Sequence, residues 1–119
     1  MKVLVADDSK VMRRIIKGYL KDLNLTDVIE AGDGKEAFEN IKGIDLLITD
    51  WNMPVMNGLT LVKEVRAKPE NSVLKILMIT TESGKEDIIQ AMQSGVNNYI
   101  IKPFTFELFK EKVNSLVKI

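Results

Sequence analysis

The stretch VLVADDSK, residues 3–10, decides the fold. A run of β-branched and aliphatic residues stops, and Asp7 and Asp8 follow back to back. Adjacent carboxylates repel each other and resist burial. Two readings fit them there: a surface turn in which one acid caps a helix starting near Ser9, or the beginning of a cation site.

The same punctuation recurs along the chain. Strands are expected at Lys2–Ala6, Asp27–Ala31, Asp45–Thr49, Leu74–Thr80 and Asn98–Ile101. Several are near-continuous aliphatic runs, as in strands buried on both faces of a parallel sheet. Amphipathic segments separate them. In Lys10–Leu23 the apolar stripe is Val11, Met12, Ile15, Ile16, Tyr19, Leu20 and Leu23, at helical spacing. Asp33–Ile41 turns Ala37, Phe38 and Ile41 inward, and Leu59–Lys68 does so with Leu61, Val62 and Val65 before Pro69 ends it. Lys85–Ser94 carries Ile88, Ile89 and Met92, with Gly95 placed to close the helix in a left-handed conformation. Phe106–Lys118 presents Leu108, Phe109, Val113, Leu116 and Val117. Strand–helix alternation with right-handed crossovers predicts an α/β doubly wound, five-stranded parallel sheet with five helices. The flavodoxin-like order 2-1-3-4-5 follows, with its switch point between the first and third strands.

Composition narrows the chemistry. The 119 residues suit one domain, 1–119, with a single core. Lys plus Arg equals Asp plus Glu at 17 each, so no global field favours nucleic acid or membrane surfaces. Cysteine and histidine are both absent, which leaves carboxylates, hydroxyls and lysine to run any reaction. No apolar stretch is long enough to span a bilayer, and acids interrupt the N-terminus before a signal peptide could form. A cytoplasmic location is expected.

The polar groups converge at one sheet edge. Asp7 and Asp8 follow the first strand and Asp50 the third, in LLITDWNMP; Thr80 ends the fourth, in LMITTES, and Lys102 follows the fifth, in YIIKPF. Each has an ordinary structural reading by itself: a cap, a turn residue, a backbone-bonded hydroxyl, a solvated lysine. Together at the carboxyl ends of parallel strands they form one cleft. Three acids there repel one another unless cations compensate. Lys102 supplies one positive charge, and Mg²⁺ is the natural second because it prefers oxygen ligands and binds through a few carboxylates, waters and a phosphate. No GxxxxGK[ST] or GxGxxG occurs, so no ready nucleotide cradle is evident.

With DD after the first strand, DWNMP and MNG after the third, T after the fourth and KPF after the fifth, the chain resembles the receiver domain of two-component response regulators, over essentially its whole length. Within that family it looks most like the stand-alone chemotaxis type. The resemblance implies roles. Asp50 would be the phosphoacceptor for a histidine kinase of the chemotaxis type. One Mg²⁺ would be held directly by Asp8 and Asp50, through water by Asp7, and by the backbone carbonyl of Asn52. Lys102 would pair with Asp50 and then with the phosphoryl oxygens, across a cis Lys102–Pro103 bond. Thr80 would turn toward the phosphoryl group and Tyr99 would swing inward behind it. Asn52 and Glu82 would flank the attacking water and tune phosphoryl lifetime. Thr81 is bulkier than the alanine or glycine frequent at its place, and Asn57 replaces the commoner acid before Gly58 while remaining a good helix cap.

The domain would catalyse its own phosphorylation and hydrolysis and turn over no separate metabolite. Because the sequence ends just after the fifth helix, output by binding is expected. The implied working face includes Lys85, Ile88, Tyr99, Ile101, Phe104 and Lys112. Apolar groups beside lysines suit a short amphipathic, acidic peptide. The implied partners are the flagellar motor switch protein and, in addition, a phosphatase; the protein itself is expected as a monomer. Two alternatives stand beside this reading: a single-domain phosphorelay intermediate, and a Mg²⁺-dependent phosphatase acting on outside substrates. The latter would want a further general acid and a cap domain.

Overall fold

Strands form where aliphatic runs can be covered on both sides. In the structure, a computed structural model that describes residues 1–118, these are β1 (Val3–Ala6), β2 (Val28–Ala31), β3 (Leu46–Thr49), β4 (Lys75–Thr80) and β5 (Asn98–Ile101). All pair in parallel, in the order β2-β1-β3-β4-β5, as expected. The helices are α1 (Lys10–Asp22), α2 (Gly34–Glu39), α3 (Gly58–Arg66), α4 (Lys85–Ser94) and α5 (Phe106–Leu116).

The period of two along each strand divides the core into halves. Val3, Val5, Leu46, Ile48, Leu77, Ile79 and Ile100 face Ile16 and Leu20 of α1 and Phe109 and Val113 of α5. Leu4, Ala6, Leu47, Ile76 and Met78 face the other way, toward Ala37 of α2, Leu61, Val62 and Val65 of α3 and Ala91 of α4. The register places Ala6 beside Thr49, Thr49 beside Met78 and Thr80 beside Ile101. The residues just past β1, β3, β4 and β5 therefore emerge on one edge.

Two helix faces differ from expectation. On α1, Val11 is 63% and Ile15 39% exposed. They form their own i, i+4 pair beside the true inward row of Met12, Ile16, Tyr19 and Leu20. On α4, Ile89 and Met92 point outward at 45% and 43% exposure, and Ala91 takes the buried place. Pro69 does more than end α3: it opens a short 3-10 turn, Pro69–Asn71.

Candidate functional site

The helix behind Asp7 and Asp8 is capped by neither. Ser9 is the N-cap of α1, its hydroxyl accepting from Met12 N–H at 3.2 Å. That frees Asp7 for another task. One of its carboxylate oxygens accepts from Ser9 N–H at 2.8 Å, and the other accepts from Lys102 Nζ at 3.0 Å.

Asp50 is held by the same device. Its Oδ1 accepts from Trp51 N–H at 2.6 Å and its Oδ2 from Lys102 Nζ at 2.8 Å. One ammonium thus bridges two buried carboxylates that leave adjacent strands. Burial works against the Lys102 charge, but the hydrogen bonds it donates to Asp50 and Asp7 outweigh it and hold its pKa above the ordinary lysine value. The peptide bond from Lys102 to Pro103 is cis. Asp8 stands exposed beside the pair, and carboxylate oxygens of Asp7, Asp8 and Asp50 lie within 4.8 Å of one another. Three carboxylates against one ammonium leave two negative charges in an oxygen-only cluster. A divalent hard cation matches both the charge and the donor type.

The loop after Asp50 is built around close approach. Gly58 N–H donates to Trp51 O at 2.7 Å, and a Cβ at Gly58 would collide with the Asp50 carbonyl oxygen. Asn57 caps α3 through Thr60 N–H at 2.8 Å, as expected of it.

Glu82 gathers the remaining predicted residues. Its N–H donates to Thr80 Oγ1 at 3.3 Å, its carbonyl oxygen accepts from Tyr99 OH at 2.7 Å, and its carboxylate accepts from Asn52 Nδ2 at 2.9 Å. Thr80 is fully buried. Tyr99, expected to move inward behind Thr80, is already inward, with 9% of its surface exposed. Burial, then the charges of Asp87, Glu82 and Asp50, push its phenol up to about 12.

Four of the six residues expected on the working face come together. Ile88, Tyr99, Ile101 and Lys112 line a groove of about 460 Å³ with Met92, Asn98, Ile100 and Leu108. Lys85 lies exposed in the first turn of α4, outside that lining. Phe104 also lies outside that lining: its half-buried ring packs 6.1 Å from those of Tyr19 and Phe109, where α1 and α5 offer it an aromatic pocket. Met92 and Leu108 went unassigned to the groove, although their helical spacing from Ile88 and Lys112 could have flagged them. Arg13 was also missed. Its Nη1 donates to the Asp7 carbonyl oxygen at 2.5 Å and its Nε to Glu30 at 3.1 Å, and an arginine in the helix that follows paired acids was the available signal.

Known proteins are similar to this chain over nearly its whole length. A family model, the response regulator receiver domain, matches residues 3–114. A chemotaxis protein CheY homolog of Campylobacter jejuni is 52% identical over 120 residues, covering 98% of this chain and 92% of that protein. Chemotaxis protein CheY1 of Helicobacter pylori J99 is 55% identical over 116 residues, covering 95% and 94%. The solved structure of the chemotaxis response regulator CheY4 of Vibrio cholerae is 34% identical, covers 98% of each chain and has a TM-score of 0.89.

Proposed function

The chain belongs to the response regulator receiver domain family, and from that premise we propose that it is a Mg²⁺-dependent phosphoacceptor switch of flagellar chemotaxis. Asp50 accepts a phosphoryl group from a histidine kinase, and the phosphorylated form binds a flagellar motor switch protein. The observation that carries the reading is the bridge of Lys102 Nζ to both Asp50 and Asp7, with Asp8 in the same cluster.

Asp7, Asp8 and Asp50, with the backbone carbonyl of Asn52, would hold the cation. When bound, it neutralises charge on the transferring phosphoryl group and orients that group. The chain's own residues do the rest. A carboxylate oxygen of Asp50 attacks phosphorus, the P–N bond to the donor imidazole breaks, and the electron pair leaves with that nitrogen. Such a transition state is loose and anionic, so catalysis is mainly positioning and charge neutralisation. Lys102 answers the charge building on the phosphoryl oxygens. Water later attacks the same phosphorus and releases phosphate, restoring the Asp50 carboxylate. Asn52 and Glu82, joined by a hydrogen bond, would flank that water and tune the lifetime of the phosphoryl group.

Readout runs through Glu82. Thr80 Oγ1 accepts from Glu82 N–H, so its own proton is free for a phosphoryl oxygen. Drawing Thr80 forward pulls on the segment whose carbonyl accepts from Tyr99 OH, and Tyr99 lines the groove between α4 and α5. Lys112 at its rim and the apolar lining suit an acidic amphipathic peptide. The protein would work in the cytoplasm as a monomer, a signalling molecule that turns over no outside substrate.

Acetyl phosphate with Mg²⁺ should add the mass of one phosphoryl group and change the fluorescence of Trp51, the sole tryptophan. Asp50→Asn should abolish both. A label that persists in Asp50→Asn removes Asp50 as acceptor. With Mg²⁺ and beryllofluoride, affinity for a motor switch peptide should rise roughly tenfold, within the usual range of coupling. Labelling without that rise would leave a phosphorelay intermediate as the reading.

A further inference from the structure

Arg66 ends α3, where a cation reads as an ordinary partner for the helix dipole. In the structure it does something more specific. Its Nη1 donates to Asn71 O at 2.8 Å, its Nε to Gly95 O at 3.0 Å, and its Nη2 to Asn97 Oδ1 at 2.8 Å. These acceptors belong to the 3-10 turn, the C-cap of α4 and the α4–β5 connection. Asn97 is itself fixed to β4: its Oδ1 also accepts from Ile76 N–H at 2.8 Å, and its N–H donates to Ile76 O at 2.9 Å. Gly95 is left-handed at φ 119°, and a Cβ there would lie 2.6 Å from Arg66 Cγ. One guanidinium fork thus ties the C-terminal end of α4 to α3 and, through Asn97, to the sheet.

Among the described residues, no side chain of the first turn of α4 bonds to a neighbouring element, and the nearest tie is the Tyr99 OH to Glu82 O bond just before the helix. Gly84 gives it no side-chain cap, Ile89 and Met92 face outward, and Ala91 is its fully buried residue. A rod pinned at one end, with Ile88 and Ala91 as its packing against the core, pivots most readily about the pin. Tyr99 lies two residues beyond Asn97, so the pin also sets the start of the strand that carries the switch tyrosine.

We propose that Arg66 is a positioning residue for partner binding: it pins the C-terminal end of α4, so that the groove between α4 and β5 opens by rotation about Gly95. This rests on the α4–β5–α5 groove being the binding face proposed above. Without the pin, α4 shifts at both ends, the binding-competent arrangement is less populated, and apparent affinity falls by that fraction. Arginine is required because lysine offers one point charge where three acceptors in different directions must be met together.

The test uses the full chain as wild type, Arg66→Ala and Arg66→Lys. Amide hydrogen exchange is read on the α4 C-terminal turn, where Gly95 N–H and Val96 N–H are bonded to Met92 O and Ala91 O. Exchange there should quicken about tenfold in Arg66→Ala while α1 and α5 amides change less than about twofold, the pattern of a local opening. Trp51 fluorescence should report beryllofluoride and Mg²⁺ binding within twofold of wild type. The rise in motor-peptide affinity caused by beryllofluoride should shrink at least about fivefold. Arg66→Lys should recover less than half of either change. A general structural loss would quicken exchange everywhere alike and keep the affinity ratio, and that outcome overturns the proposal, as does full recovery with lysine. If the wild type shows no beryllofluoride-dependent peptide binding, the binding-face reading fails, and the exchange pattern alone decides whether Arg66 is the pin.

Discussion

α4 and α5 flank the same groove and are held in opposite ways. α5 is capped by Thr105, whose hydroxyl accepts from Leu108 N–H at 3.1 Å, and it buries Phe109 and Val113 completely. Around Tyr19 the rings of Phe104, Phe106 and Phe109 gather at 5.2 to 6.1 Å. Edge-on and tilted ring pairs add to area burial. α4 has a glycine cap without a side-chain bond, and of its larger apolar residues Ile88 packs against the core while Ile89 and Met92 face solvent. The groove therefore has one wall that is capped and deeply packed and one that is packed more lightly. A switch that must change a surface without unfolding a domain needs that asymmetry, since elements that move come from the low-stability end of the structure.

The largest test of the contrast compares one truncation in each wall. Phe109→Ala should cost about 3–5 kcal/mol, because it empties a sealed aromatic site. Met92→Ala, partly in water already, should stay within about 1 kcal/mol. Urea unfolding followed by Trp51 fluorescence measures both. Equal costs would mean that α4 is packed as firmly as α5.

Tyr99 sits on the seam between the walls, and its proton reports how firmly the seam is closed. Its folded pKa, about 12, lies above the ordinary 10.0. The native chain then keeps a proton that the unfolded chain gives up. The stability this contributes is whole below pH 10 and is lost as pH rises toward 12. The difference between 10.0 and about 12 corresponds to about 3 kcal/mol across that window. Tyr99→Phe should remove this part of the alkaline decline, and near neutral pH it should cost about 1 kcal/mol for the lost hydrogen bond to Glu82 O. Paired urea titrations at stepped pH separate the two effects, because lysine titration above pH 10 is common to both chains. A midpoint near the ordinary value by absorbance would mean that the seam admits water.

What could be read in advance divides along the same line. Val3–Ala6, Leu46–Thr49, Lys75–Thr80 and Asn98–Ile101 are dictated by their own side chains, and their register brings Asp7, Asp50 and Lys102 together without further information. Helix rotation is dictated by neighbours. Val11, Ile15, Ile89 and Met92 are apolar at helical spacing, yet the layers offer them nothing to cover. Glu82 was legible as a residue near the water path but not as a junction, because two of its three bonds use backbone atoms that every residue possesses. Arg66 was invisible for a related reason: two of its three acceptors are carbonyl oxygens brought near by the fold. Where the Phe104 ring packs, among Tyr19 and Phe109, was not legible either, because chain position after β5 does not say which neighbours a ring will choose.

The smallest effect probes the loop on the fixed side of Asp50. Val55 has φ 69° and is 77% exposed. A β-branched residue in the left-handed region is a conformational outlier. It is kept there by a tight turn, Met56 N–H to Pro54 O at 2.7 Å, and by Gly34 N–H to Met56 O at 3.1 Å, which moors the turn to α2. The loop before α4 has no comparable mooring across to a neighbouring helix among the described residues, so the strain sits where the surroundings can hold it. Val55→Asn keeps the exposure and suits the left-handed backbone, and should raise stability by about 1 kcal/mol in urea unfolding. Phosphorylation of Asp50 by acetyl phosphate should keep its rate if the strain is only carried by the loop. A stabilised variant that labels more slowly would instead mean that the strained turn helps to set the carbonyl of Asn52, three residues upstream, and that the fixed side of the site is held under tension for a chemical purpose.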